Sequence, residues 1–545
     1  LSALSQMVLL AGRRSIELGP AAPCRVSRGA FAGEASSGYS AGIKVSRQQR
    51  LWSIFDERYI IHPGDAMNAY AQPRPQPPRR SRNASPISAG GQRIDAWIAC
   101  GFMVICFVLG GSSRFQLVSH LTLRLLSILA IGYAVWRMSP GDRAATQLFA
   151  RSVAALGVLM TIQLIPLPPE LWAALPGHGF YQDALNSIGL TDRWRPLSMS
   201  PDLTLNSLLA LLPAMAAALL FAPLDEAGQR LQLDTLLACL AISSLLSALQ
   251  LASNGFYLYP HNNEGTGVGF FANRNHQALF LAIGIVFIMG RWRLGEHPGK
   301  LAHIAMTLGL AVVVLAFLTV TGSRAGLVAG VMAFVAGGLV FARGTIRRQT
   351  RWVRIGVPTA ALTLLVLALA LGMVSSRQVA VQRLLQTGAT LGSTELRTAN
   401  LPAMVEMAKE FFPFGSGFGT FDAVFRRFES DALLRPTYFN HAHSEPIELL
   451  IEGGLPAGFL IVMALVWLAG RSKVLLIASA KSPVVIRAQM GALGLILLLA
   501  GSLVDYPVRT PFLAVLAVLL ATWTAERSPK AGEERGGLGT IDAMR

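Results

Sequence analysis

The sequence predicts an all-α, polytopic membrane protein with about twelve transmembrane helices and one large loop on the outer face, and three observations carry that prediction. Of the 545 residues, 52% are apolar and only 14% are charged, which is more hydrophobic surface than one soluble core can hide. Apolar runs of roughly 17 to 24 residues recur along the chain, the length of helix that crosses a bilayer. The cationic clusters fall between those runs where the positive-inside rule places them.

Residues 1–93 are rich in Arg, Ser, Pro and Gly, lack apolar periodicity, and read as a disordered basic tail. Met67, ahead of a short basic stretch, is the expected translation start. No short apolar core with a small-residue cleavage pattern lies near residue 1, so the first span is expected to act as an uncleaved anchor. Nine spans are expected within 94–374, near 94–112, 117–136, 148–167, 204–222, 231–252, 275–290, 301–320, 326–342 and 354–374. The large outer loop follows at 375–446, then three more spans within 447–525 (447–470, 485–503 and 511–525), and a tail at 526–545.

Counting alternate spans from a cytoplasmic N-terminus leaves the cationic segments 291–300, 343–354, 471–487 and the C-terminal tail inside. Both termini are then cytoplasmic, and the loops 168–203, 253–274 and 375–446 lie outside. The net charge of +17 is accounted for by this orientation, so no nucleic-acid partner is expected, while membrane lipids are. Cys24 lies in the tail, and Cys100, Cys106 and Cys239 lie in predicted spans, so no disulfide framework is expected.

Polar residues at the outer span ends are where chemistry is sought, because the bilayer interior tolerates few ionisable groups. In the large loop, 396–412 predicts an amphipathic helix with Leu401, Met404, Val405 and Ala408 on one face. Pro413 ends it, and Gly415, Gly417 and Gly419 follow. These glycines let the backbone either fold tightly onto the membrane or approach a ligand closely, and the substrate-binding reading falls on Gly417. Beyond them Ser444 is a good N-cap and Pro446 suits a first turn, which places His443 at the lip of a helix N-terminus. A neutral imidazole there can accept a proton, so His443 is the candidate catalytic base.

His441 and His443 could also be two metal ligands. No nearby Cys and no third His completes a zinc set, and Glu445 and Asp431 would join only weakly, so neither a metal nor a cofactor is expected. The first outer loop, GGSSRFQLV at 110–118, contains no Asp or Glu, which favours a metal-independent mechanism. No phosphate-binding loop or dinucleotide fingerprint stands at a strand-to-helix junction. Arg274, Arg324 and Arg509 all map to outer span ends, against the positive-inside trend. Guanidinium groups grip phosphate oxygens bidentately, so these three are candidate substrate-binding residues. The plainer alternatives are lipid headgroup contact or an ion pair such as Asp505 with Arg509.

FPFGSGFGTF at 412–421 and HAHSEPIELLIEGGLPAG at 441–458, together with FFANRNH (270–276), TGSRAG (321–326) and SLVDYPVRTP (502–511), resemble the O-antigen ligase and polymerase superfamily of bacterial membrane glycosyltransferases. The resemblance covers most of 250–520. It implies a GT-C-like architecture in the inner membrane and a periplasmic position for the 375–446 loop. It also implies inverting transfer of a preassembled glycan from an undecaprenyl diphosphate-linked donor to an acceptor hydroxyl, as on lipid A-core. The alternative within the family is an O-antigen or exopolysaccharide polymerase, whose acceptor is the growing polysaccharide. More distant readings are a protein O-oligosaccharyltransferase and, from another class, a polysaccharide transporter or flippase. In the family, the histidine of an H-[N/S/Q]-x9-G-x-x-G motif is the proposed base. His443-Ser444, nine residues and Gly454 fit that motif, while Ala457 replaces its last glycine. The family also implies that arginines matching Arg274 and Arg324 hold the lipid diphosphate, and Arg397 stands at the arginine that begins the helix before the glycine turn.

Overall fold

The computed structural model describes residues 86–526 apart from 115–116, 296–299, 343–349, all but a few of 352–397, 434–438 and 479–481. All described residues belong to the unit Arg82–Arg545. Arg397, nearly all of the expected span 354–374, the first part of the 375–446 loop and nearly all of both tails lie outside the described residues.

The described chain is helical, with one two-residue antiparallel strand pair, β1 (Pro166–Leu167) and β2 (Arg195–Pro196). The first helices are α1 (Pro86–Leu109), α2 (Val118–Arg137), α3 (Pro140–Gln163), α4 (Pro169–Ala173) and α5 (Gly179–Ser187). α1 begins at Pro86, so residues 86–93, read from sequence as the end of the tail, are helical. The expected span at 204–222 is broken into α6 (Pro201–Leu209) and α7 (Leu212–Phe221). Pro213 has no N–H to continue the ladder and sits in the first turn of α7, where none is needed.

α8 (Glu226–Ser253), α9 (Arg274–Arg293), α10 (Leu301–Val320) and α11 (Arg324–Gly337) follow the expected spans closely. The loop elements α12 (Leu401–Glu410) and α13 (Phe421–Phe425) precede α14 (Glu445–Ile477), α15 (Pro483–Ser502) and α16 (Pro511–Ala525). Among the described residues, nine helical segments are long and apolar enough to cross a membrane. Large apolar side chains stand exposed along them, such as Leu129 of α2 and Val466 of α14. Such surface is stable only against hydrocarbon.

α9 is the hub. It is apolar all round, and each residue from His276 to Gly290 is buried, because α8, α10, α11 and α15 pack around it. Glycine permits the closest approaches: a Cβ at Gly326 would lie 2.1 Å from the Cβ of Ala278. Phe280 sets its ring edge-on to Phe512 at 5.3 Å between centroids, joining α9 to α16.

The helix at 401–410 buries Met404 and Met407, continued by Phe411, rather than the expected Leu401–Met404–Val405–Ala408 stripe; Leu401 and Val405 are exposed. Two apolar stripes share Met404. The aromatic residues of α13 and Ile451 of α14 form the surface against which Met407 packs, and so they select between them.

Candidate active site

Three loops distant in sequence are stitched together by backbone bonds at one end of the helices. Ala272 N–H donates to Gly111 O (3.0 Å), and Phe512 N–H donates to Gly110 O (3.1 Å). Gly111 N–H donates to the Tyr259 hydroxyl at 2.8 Å. Burial pushes the Tyr259 phenol up to about 12, so the neutral hydroxyl is the acceptor. Gln250 Oε1 receives Val268 N–H (3.0 Å) and Gly269 N–H (2.8 Å), which fixes the loop leading into α9.

The result is a cavity of about 450 Å³ lined by the 111–114 loop, the 260–263 segment, the N-terminus of α9, Asn440, His443 and Tyr506. That volume suits a ligand site. Among the described residues its lining includes Arg114, Arg274, three histidines and five asparagines, and not one Asp or Glu. The N-terminus of α9 opens into it, capped by Asn273, whose side-chain oxygen accepts Asn275 N–H at 2.9 Å. Two guanidinium groups at the positive end of a helix dipole give this cavity the charge to accept an anion, although the first N–H groups of α9 are already taken by the Asn263 and Asn273 side chains.

His443 stands on its wall. Its Nδ1 lies 3.1 Å from Asp505 Oδ1, with the imidazole 19% exposed and the carboxylate 5%. An ionised carboxylate only accepts, so in the neutral imidazole Nδ1 carries the proton and Nε2 presents the lone pair. Asp505 is held in turn: Asn273 Nδ2 (3.1 Å) and Asn275 Nδ2 (2.6 Å) donate to Oδ2, and Tyr506 N–H donates to Oδ1 (3.1 Å). Tyr506 packs its ring beside His441, His443 and His276. A base oriented by a buried carboxylate is the arrangement that activates a hydroxyl.

The other expected residues fall in different places. Arg274 begins α9 and lines the cavity. Arg324 begins α11 and is exposed beyond that lining; its neighbour Ser323 caps the helix and donates to Asn275 Oδ1 at 2.8 Å, which links α11 to the Asp505 cluster. Gly417 has φ of 104° and is buried, and a Cβ there would lie 2.4 Å from Ser198 Oγ. Its N–H donates to Glu452 O at 2.9 Å, and Ser416 N–H donates to Ile451 O at 2.9 Å. The glycine turn is thereby fastened to α14 beside its kink at Gly454.

Arg509 turns into the protein, where Nη2 lies 2.7 Å from Glu452 Oε2 and Nε lies 3.3 Å from Glu448 Oε1. Burial opposes its charge, but the carboxylates of Glu448 and Glu452 outweigh that and hold its pKa above the ordinary value. The paired histidines part company as well. His441 Nδ1 meets Glu448 Oε1 at 2.7 Å, whereas His443 meets Asp505. Among the described residues, no group of three or more His, Cys, Asp or Glu gathers as a metal set.

Sequence reasoning missed Arg114, Asn273, Asn275 and the orienting role of Asp505. The signals were faint: an arginine in a loop searched only for acids, and a carboxylate directly after an apolar run. It also passed over Glu448 and Glu452, which by their spacing of three and four residues share one helix face inside a span with Glu445, weighed from sequence only as a weak metal ligand.

A family model described as O-antigen ligase matches residues 309–462. The matched stretch contains Arg324, Arg397, the glycine turn and His443, while Arg274, Asp505 and Arg509 fall outside it. No curated protein matches the chain.

Proposed function

We propose, from the match of residues 309–462 to the O-antigen ligase family model, that the chain is a membrane glycosyltransferase moving a preassembled glycan from undecaprenyl diphosphate to an acceptor hydroxyl at the periplasmic face of the inner membrane. The acceptor is a lipid A-core or a growing polysaccharide. The observation that carries this reading is the His443–Asp505 pair set into the wall of a cavity that Arg114 and Arg274 also line, with no carboxylate in that lining among the described residues.

In this mechanism the acceptor O–H gives its proton to His443 Nε2 as its oxygen attacks the anomeric carbon. The bond from that carbon to the diphosphate oxygen breaks, and its electron pair leaves with the diphosphate. Asp505 holds the tautomer and stabilises the imidazolium that forms. Arg274 and Arg114, with the N-terminus of α9, receive the diphosphate charge. Arg324, exposed at the start of α11, meets the donor as it enters. Attack opposite the leaving group inverts the anomeric centre. The arginines and the base together supply what the step needs, so the reaction is metal-independent.

The test is transfer by the purified protein from a synthetic undecaprenyl diphosphate-linked glycan, in EDTA. His443→Ala should lower turnover by about 100-fold or more with donor affinity nearly unchanged. Full turnover by that variant, or loss of all transfer in EDTA with recovery on adding a divalent metal, would overturn the mechanism.

A further inference from the structure

His443 has φ of 50°, a left-handed backbone conformation uncommon for any residue but glycine. Such a conformation persists only where its surroundings impose it, and Glu448 does so. Its Oε1 meets His441 Nδ1 at 2.7 Å, and its Oε2 receives Ala442 N–H at 2.9 Å, so one carboxylate grips both residues that lead into His443. The Glu448 N–H also donates to Ser444 O at 3.0 Å, which closes the turn from the other side.

The same carboxylate is tied to Arg509 (3.3 Å), and Arg509 stands only four residues after Asp505. Glu445 adds a parallel tie by accepting Val508 N–H at 2.6 Å. The turn bearing the base and the corner bearing its orienting carboxylate are therefore joined through buried charges on one face of α14. We propose that Glu448 and Arg509 are positioning residues whose ion pair sets the His443–Asp505 geometry. Arg509, read from sequence as a diphosphate ligand, acts on the base instead of on the donor. This inference rests on the assignment of His443 as base.

A double-variant cycle on the full chain, purified in detergent and supplied with an undecaprenyl diphosphate-linked glycan, tests it. Glu448→Gln keeps the shape and removes the charge. It should lower turnover about 10- to 100-fold, the range seen when a partner orienting a reacting group is lost, with donor KM unchanged. In a His443→Ala background the same change should alter residual turnover less than about twofold, since no imidazole remains to be misplaced. An equal loss in both backgrounds, or a raised donor KM, overturns the proposal. Should Glu448→Gln not fold, Arg509→Lys, which keeps the charge but loses the fork, must show the same non-additivity. Failure of both to fold would make the pair a stability element and likewise overturn it. The His443→Ala arm reports separately on the base: turnover at the native level there refutes that assignment, whatever the cycle shows.

Discussion

Replacing Asp505 by Asn tests the base and its orientation with a change of one atom. In the native site both carboxylate oxygens face donors: Oδ1 faces His443 Nδ1 and Tyr506 N–H, and Oδ2 faces the amides of Asn273 and Asn275. An asparagine has one accepting oxygen. If that oxygen stays toward His443, its NH₂ confronts two amide donors. Neither Asn273 nor Asn275 can turn freely to oblige, because Asn273 Oδ1 caps α9 and Asn275 Oδ1 accepts from Ser323. If the new amide flips, its NH₂ faces His443 Nδ1, which must then keep its lone pair there and place the proton on Nε2. That is the wrong tautomer for a base.

A hydrogen bond to a charged partner is worth about 1.5–3 kcal/mol, and about 1.36 kcal/mol is a tenfold rate change, so kcat should fall roughly 10- to 150-fold from this bond alone. Donor KM should stay within about twofold, since Asp505 touches His443 and is not part of the cavity lining. Steady-state transfer with purified protein and a defined lipid-linked donor measures both. A kcat within twofold of native, or an effect confined to KM, would refute the reasoning.

Two further outcomes follow from the site. Arg114→Ala and Arg274→Ala should each raise donor KM about tenfold, with Lys restoring only part because an ammonium lacks the bidentate fork; unchanged KM in both would remove the diphosphate from this cavity. Gly417→Ala should cost about 1–3 kcal/mol of stability, because it combines a left-handed φ with a Cβ too close to Ser198. Thermal unfolding in detergent reads this directly, and an unchanged Tm with lost donor binding would instead put Gly417 at the ligand.

The membrane fold was legible because its signal is local. A run such as 301–320 is apolar enough to read as a span whatever surrounds it, and Leu301–Val320 forms a helix over those residues. Legible in the same way was the helix start at 444–446, since a first-turn proline acts on its own backbone; Ser444 stands at the N-cap as expected, but its side chain makes no capping bond. Pairing was not legible. Arg274, Arg324 and Arg509 carry the same charge at similar span ends, yet the first lines a cavity, the second is exposed and the third, half-buried, pairs with two buried glutamates. A guanidinium's role depends on which carboxylate or void lies within a few ångströms, and contacts between residues 57 or 62 positions apart are set by helix packing. The sequence by itself thus determined that the chain carries helices apolar enough to enter a bilayer and that His443 stands just before a helix start. Only the packing of α9 against α15 and α16 decided that Asp505 faces His443 and that Arg509 faces Glu448, because those bonds need three loops brought to one point.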